Sequence, residues 1–363
     1  MGKNMSGLSG EFIIHPGETL KEILKDRKMS QRELSIRTDV TEAHVSSVVN
    51  GQKAISVSYA KKLEYALGID ASFWINLQAH YDKELADFEE VNEISDEELT
   101  ILKKLNHIVQ HLKKKQILEA VACESMLVIS LRRLLNISSL TRIPQMSQTG
   151  AYRLATATNV DPFVLFTWLR MCDLIVKDQE VEGSLDIDRL KAKIPLLKNL
   201  MFEDATAVQP RLKTYLAECG IKFAIVKHFR GAPVQGVIKK NPDDTLNLLL
   251  TARGKYADIF WFTFFHEIGH IMNGDIDDQL VDYDLAEGEL EDKANRFAAN
   301  TLIDPTAYEE FAARKDFLLP SIKEFSAEQH IPAYILIGRL QRDGHVGWHQ
   351  YSEEKVKYVL WEG

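Results

Sequence analysis

Five residues, His266-Glu267-Ile268-Gly269-His270, constrain this chain more than any other stretch, because they set three ionisable side chains in an otherwise apolar helix. A helix turns by about 100° per residue, so side chains at i and i+4 lie one above the other on one face. The periodicity predicts helix over Ala257 to Asn273. Phe260, Phe264, Phe265, Ile268 and Ile271 recur at helical spacing, and Gly274 stands where a helix stop belongs. Trp261 and Phe262 make both flanks apolar, so this helix is destined for a core. Ionisable groups are costly in a core unless they are paired or bind a metal. Two imidazoles one turn apart can share a metal ion, with Glu267 one residue along, beside the water such an ion would hold.

A third ligand lies downstream. Glu291 opens a second helical pattern in which Ala294, Phe297, Ala298 and Leu302 form an apolar face, ending at Asp304-Pro305. With His266 and His270 it supplies the two-histidine, one-glutamate set of a catalytic zinc site, one zinc per chain, with the fourth position open. Asn295, one turn beyond Glu291, would accept the ring N–H of His266 and fix its tautomer. The stretch from Asp275 to Asp292 is crowded with carboxylates, most of them expected in solvent, and Glu287 and Glu289 are rival ligands. In a site of this kind Glu267 takes a proton from water attacking a peptide carbonyl and returns it to the leaving amine. His330, His345, Tyr334 and Arg339 are candidate oxyanion partners, each suited as well to a structural or exposed position. Pro233 to Lys240 and Thr245 to Ala252 read as strands around an Asn241-Pro242-Asp243-Asp244 turn. Such a strand either pairs with an extended substrate above the metal or forms an ordinary edge hairpin.

The helix His266 to His270, followed by the pattern Glu291, Ala294-Asn295-Arg296-Phe297-Ala298, resembles the ImmA/IrrE family of bacterial and phage metallopeptidases. The likeness runs from about Ala232 to Gln341, taking in Leu248-Leu249-Leu250-Thr251-Ala252-Arg253 and the segment from Pro332 to Gln341. It implies a zincin-type fold, one zinc, and limited proteolysis of a regulatory protein. By position, His266, His270 and Glu291 match the family's metal ligands and Glu267 its acid/base. Lys293 stands where many relatives carry an acid, and is expected to face solvent.

The other informative region is N-terminal. His15-Pro16-Gly17 opens a helix to about Lys28, and Ser30 and Glu33 read as a capping box for the next, which runs to about Thr38. After a break at Asp39-Val40, Thr41 caps a helix over Glu42 to Val49 that Asn50-Gly51 stops. Two short helices so joined make a helix-turn-helix, whose second helix meets base edges in the major groove. Glu42, His44, Ser46 and Ser47 are the expected DNA-reading positions, with Gln31 and Arg32 at the start of the preceding helix, while Val45, Val48 and Val49 point inward. From about Gly10 to Tyr81 the chain resembles the HigA/XRE-type helix-turn-helix of antitoxins and phage repressors. The matching residues are Leu20, Ser30-Gln31, Leu34, Val45-Ser46, Asn50-Gly51, Ile55-Ser56, Ala60, Leu63, Leu67-Gly68 and Phe73-Trp74. The resemblance implies a five-helix domain that binds palindromic operators as a homodimer. Residues 1–80 hold ten Lys/Arg and nine Asp/Glu, a net of +1 in a chain of −9, so what basicity there is stays in this part. Lys21, Lys25, Arg27, Lys28 and Arg32 cluster as a phosphate-contacting edge.

The middle of the chain carries no chemical motif. Helices are predicted from Ser95 through Leu112, over Glu119 to Leu135, Thr149 to Thr158 and Asp161 to Asp173, and within Leu185 to Cys219. The expected fold is mainly α with a small β-sheet in the C-terminal part. Its divisions are a helix-turn-helix domain (10–81), a helical connector, sensor or dimerisation region (92–219), a zincin-like α+β domain (220–345) and a C-terminal tail (346–363). Cys123, Cys172 and Cys219 are isolated, which favours a reducing cytoplasm, and neither a signal peptide nor a membrane-spanning run is expected. Together these features predict a transcriptional regulator with a zinc endopeptidase domain that cleaves a repressor or antitoxin in stress, phage or toxin–antitoxin control. The alternative is an antitoxin-like regulator whose zincin domain only senses or docks a partner.

Overall fold

The computed structural model describes residues 13–146, 160–251, 256–276 and 288–358, with the backbone alone of 279–283. The helix predicted over Thr149 to Thr158, the rival ligand Glu287, and Arg253 lie outside these residues. The chain divides into two compact units, Met1–Lys103 with Glu119–Arg133, and Lys104–Leu118 with Leu134–Gly363.

The first unit begins with α1 (Pro16–Asp26), α2 (Gln31–Thr38), α3 (Glu42–Val49), α4 (Val57–Leu67) and α5 (Ala71–Asn92). Side chains cap each start. His15, Ser30, Thr41, Ser56 and Asp70 accept the N–H of Gly17, Glu33, His44, Tyr59 and Ser72. Only half of the predicted capping box forms, because the Glu33 carboxylate turns outward to Arg37, 2.7 Å away. Asp39 at φ 50° and Gly68 at φ 63° close α2 and α4 in the left-handed region. Leu20, Leu34, Val45, Leu63 and Trp74 fill one core. Gly17 lets α1 meet the end of α3, since a Cβ there would lie 2.0 Å from the Val48 carbonyl oxygen.

The helix predicted from Ser95 is two, α6 (Asp96–Lys104) and α7 (Asn106–Lys114), broken at Leu105. The next, α8, spans Glu124–Leu135, and its Arg132 holds Glu98 through two nitrogens and Glu90 through a third.

In the second unit follow α9 (Ile143–Met146), α10 (Pro162–Val176), α11 (Ile187–Asn199) and α12 (Ala205–Ala217). Next come β1 (Ile221–Val226), β2 (Val234–Lys240), β3 (Leu246–Thr251), α13 (Ala257–Asn273) and β4 (Gln279–Tyr283). The series ends with α14 (Glu289–Leu302), α15 (Pro305–Arg314), α16 (Leu319–Glu328) and α17 (Ala333–Arg342). The strands form one mixed sheet in the order β1-β3-β2-β4. The predicted hairpin is present, with Gly236 opposite Leu250, but it lies inside the sheet: β1 pairs parallel with β3, and β4 pairs antiparallel with β2. The edge beside β2 is thus already taken by the chain's own β4, within a stretch expected as a carboxylate-rich loop. Trp261, Phe264, Phe265 and Ile268 of α13 share a core with Leu197, Leu212 and Leu216 of the preceding helices and Phe223 of β1. Gly269 brings α13 and α14 together, since a Cβ there would stand 3.1 Å from the Ala294 Cα. The residues expected as a tail pack down as far as Tyr358. The Ala257 N–H donates to the Val356 carbonyl, and the Trp261 indole N–H to the Tyr358 hydroxyl at 2.9 Å.

Candidate functional site

Helical spacing places His266 and His270 on one face of α13, and the close crossing at Gly269 lays Glu291 of α14 against them. The Nε2 atoms of the two histidines face each other at 3.1 Å. Glu291 Oε2 stands 3.1 Å from His266 Nε2 and 3.5 Å from His270 Nε2. Donors of a tetrahedral zinc, at roughly 2.0–2.2 Å from the ion, stand about 3.3 Å from one another, so the triangle has the size such an ion requires.

The groups behind the ring nitrogens sharpen this. His270 Nδ1 lies 3.1 Å from Asp275 Oδ2, and His266 Nδ1 lies 3.1 Å from Asn295 Oδ1. A carboxylate only accepts, so Nδ1 of His270 carries the hydrogen and its Nε2, in the neutral ring, presents a lone pair. The Asn295 oxygen imposes the same tautomer on His266. Two lone pairs and a carboxylate then converge in a buried place, and a cation between them, proton or metal, relieves the repulsion. Without a metal the site draws on protons. Burial pulls His270 down, but Glu291 and Asp275 outweigh it and hold its pKa above the ordinary 6.5. Hydrogen bonds from His266 and His270 hold Glu291 down at about 2.

Glu267 is fully buried and points from α13 to the sheet, where its carboxyl fills the space over Gly236 of β2. The rival Glu289 is turned into solvent and pairs with Lys293 at 2.8 Å. The other expected helpers are elsewhere. The Tyr334 hydroxyl donates to the Met201 carbonyl at 2.7 Å, His330 packs at a tilt against Phe202, and His345 stacks on Phe317. Arg339 pairs with Asp343. Sequence reading missed Asp275. Its signal was position: it follows Gly274, whose φ of 74° turns the chain so that the Asp275 N–H donates to the His270 carbonyl and its side chain returns beneath the ring.

The six expected DNA-reading residues fall on consecutive helices, Gln31 and Arg32 on α2 and the other four on α3. Glu42 and Arg32 are exposed. Ser46 accepts from the Asn50 amide and Ser47 donates to the Ala43 carbonyl, so both hydroxyls are held in place. The His44 ring packs edge-on against Tyr59 with Nε2 buried, leaving Nδ1 3.0 Å from Lys53 Nζ. In the expected phosphate edge, Arg27 is engaged with the Leu67 carbonyl and Lys21 with Glu18, while Lys25, Lys28 and Arg32 are exposed.

The first unit therefore carries a helix-turn-helix, and comparison with known proteins agrees. Residues 20–74 match the family described as Helix-turn-helix. The chain is 35% identical over 75 residues to Virulence-associated protein I of Dichelobacter nodosus, covering 20% of this chain and 69% of that one. To Virulence-associated protein A' of the same organism it is 39% identical over 69 residues, 19% of this chain, spanning 60% of that protein's length. It is also similar to the solved structure of PA4674 in complex with its operator DNA from Pseudomonas aeruginosa (35% identity, 20% of this chain and 80% of that chain, TM-score 0.20). Another is the Pseudomonas aeruginosa antitoxin HigA with higBA promoter (32% identity, 23% and 96%, TM-score 0.21). Through this domain the chain belongs to the helix-turn-helix family that includes Virulence-associated protein I. Among the described residues no helix is long and apolar enough to cross a membrane.

Proposed function

We propose that this chain is a DNA-binding transcriptional regulator whose C-terminal part is a zinc-dependent endopeptidase of the ImmA/IrrE type, on a zincin-like fold, acting on a repressor or antitoxin. The observation that carries the enzymatic half is the triangle of His266 Nε2, His270 Nε2 and Glu291 Oε2, with a buried carboxylate, Glu267, on the same helix. A purely structural zinc site needs no such acid. When bound, zinc supplies a Lewis acid that polarises a peptide carbonyl and makes water acidic enough to attack near neutral pH. Asn295 and Asp275 orient the two imidazoles. The Glu267 carboxylate takes the proton of the attacking water and delivers it to the leaving amine. Held against Gly236 in a place closed to bulk water, it keeps one position throughout. The DNA-binding half rests on the helix-turn-helix match and on the exposed N-terminal turn of α3, with a palindromic double-stranded operator read by a homodimer.

Zinc-loaded wild type and Glu267→Gln, each incubated with candidate repressors and antitoxins of the host, test the enzyme. The wild type cuts one bond, and the variant keeps its zinc and leaves the bond intact. A variant that still cuts removes Glu267 from the mechanism. A wild type that binds zinc and its partner without cutting makes the domain a sensor or docking module. Glu42→Ala and Ser46→Ala are expected to alter the operator footprint with zinc content unchanged; footprints identical to wild type would place recognition elsewhere.

A further inference from the structure

Helices of the second unit close on a cavity of about 400 Å³ that shares His266, Glu291 and Asn295 with the candidate centre. α13 contributes Ile259, Phe262 and His266, and α17 contributes Ile335, Gly338 and Arg342. Both sets are spaced i, i+3, i+7, so each helix lends one face. The walls are mostly apolar, and the rim keeps two large apolar side chains in water, Trp348 at 69% exposed and Ile259 at 46%. Apolar surface left exposed at the mouth of a cavity marks a place where a ligand lands.

Four charged side chains line the cavity: Asp258 is paired with Lys355 at 2.8 Å, Glu291 belongs to the candidate centre, Arg339 is paired with Asp343, and the fourth is Arg342. Its guanidinium stacks 4.3 Å from the Phe262 ring centre, which fixes it over the cavity wall. The nearest candidate counter-ion, Asp343, is engaged by Arg339 at 2.7 Å and by the Tyr308 hydroxyl at 2.6 Å. Among the described residues no carboxylate lies within ion-pair reach of Arg342. Burial and the neighbouring Arg339 lower its pKa, and Asp343 offsets them only in part. The direction of the helices sets its level along α13. Gly338 abuts Asp258, and Arg342 meets Phe262 four residues later on both helices, so α13 and α17 run the same way. Arg342 therefore stands one turn before His266. Along α13 that offset is about 5.4 Å, and with the lateral spacing of the two helices added it corresponds to about two to three residues of extended peptide.

We propose that Arg342 is a specificity-determining residue: it takes the carboxylate of an acidic residue, within about three positions of the bond beside Glu267, in a peptide whose apolar neighbour fills the cavity. The choice of a peptide as ligand rests on the endopeptidase reading. An acid is favoured because the cavity offers one uncompensated cation, and bidentate capture by a guanidinium stacked in place costs little side-chain entropy.

Binding tests this without requiring turnover. Labelled peptides with a central Phe, in which one Glu is walked through the three residues on either side, are compared with the matching Gln set by fluorescence anisotropy. The protein is the full-length, zinc-loaded Glu267→Gln chain. At one or two adjacent positions Glu is expected to bind about tenfold tighter than Gln, the worth of one charge-assisted hydrogen bond at a partly exposed site. Arg342→Gln in the same background should erase the preference while keeping zinc and the binding of the Gln peptides. Arg342→Glu should turn it towards a Lys-walked set. Absence of a position-specific acid preference, its survival in both variants, or failure to bind any peptide overturns the proposal. Preference without cleavage by the wild type keeps Arg342 and overturns the endopeptidase reading. Cleavage without preference does the reverse.

Discussion

Gly236→Ala isolates the placement of Glu267 in one substitution. The added Cβ would stand 1.8 Å from Glu267 Oε1 and 2.3 Å from Cδ, where ordinary contact begins at 3.4 Å. The carboxyl would have to retreat by about 1.6 Å, and overpacking of that order costs roughly 1–3 kcal/mol. Glu267 is wholly buried, so its end cannot swing into solvent to avoid the contact. The strand itself accepts alanine, because Gly236 is paired in β2 with no positive φ. In a Glu267→Ala background the obstacle is gone, and the same change is expected to be neutral or stabilising by about 0.4–1 kcal/mol through the unfolded chain. The four proteins of this cycle, unfolded in urea with zinc present, should give a coupling near 2 kcal/mol between positions 236 and 267. Equal costs of Gly236→Ala in the two backgrounds would mean that the Glu267 carboxyl does not lie over β2, and the proton-transfer geometry would fall with it.

Three further outcomes follow from the same geometry. Asp275→Asn, which weakens the fixing of His270, should lower zinc affinity by about 10–100-fold in a chelator competition, and an unchanged affinity would make Asp275 a bystander. Gly269→Val drives a side chain into Ala294 and Phe297 at the α13–α14 crossing, so Glu291 should part from the histidines and zinc be lost while the helix-turn-helix still melts as in wild type; retained zinc would refute this. In the metal-free protein, the raised pKa of His270 gives stability that is full below 6.5 and lost as pH rises through its folded value. Glu291, held at about 2, gives stability that is full above 4.5 and lost as pH falls towards 2. The destabilisation by Glu291→Gln should therefore be largest between pH 4.5 and 6.5, and a flat difference from pH 4 to 8 would contradict the pairing.

Local rules made the two histidines and Glu267 legible, since i and i+4 share a face in any helix. Glu291 and Asn295 were legible for the same reason, one turn apart on a helix with its own apolar stripe. Asp275 was not, because its role depends on the turn at Gly274, and its sequence neighbourhood looks like solvated acid. β4 was hidden likewise: Gln279-Leu280-Val281-Asp282-Tyr283 is a strand because β2 is there to pair with it. The break at Leu105 and the outward turn of Glu33 are tertiary or competing contacts that override a correct local signal. Arg342 had no signal, since its surroundings come from α13 and α17, residues far apart in the chain. In the N-terminal unit, capping residues and valine spacing sufficed for the helix boundaries, while the contacts of His44 with Tyr59 and of Arg27 with the Leu67 carbonyl needed the fold.

The most direct measurement is zinc per folded chain in the wild type and in Glu291→Ala. The wild type is expected to hold close to one equivalent, and the variant to fold but lose zinc or bind it far more weakly. No zinc in a folded wild type supplied with the metal, or a full equivalent retained without Glu291, would contradict this.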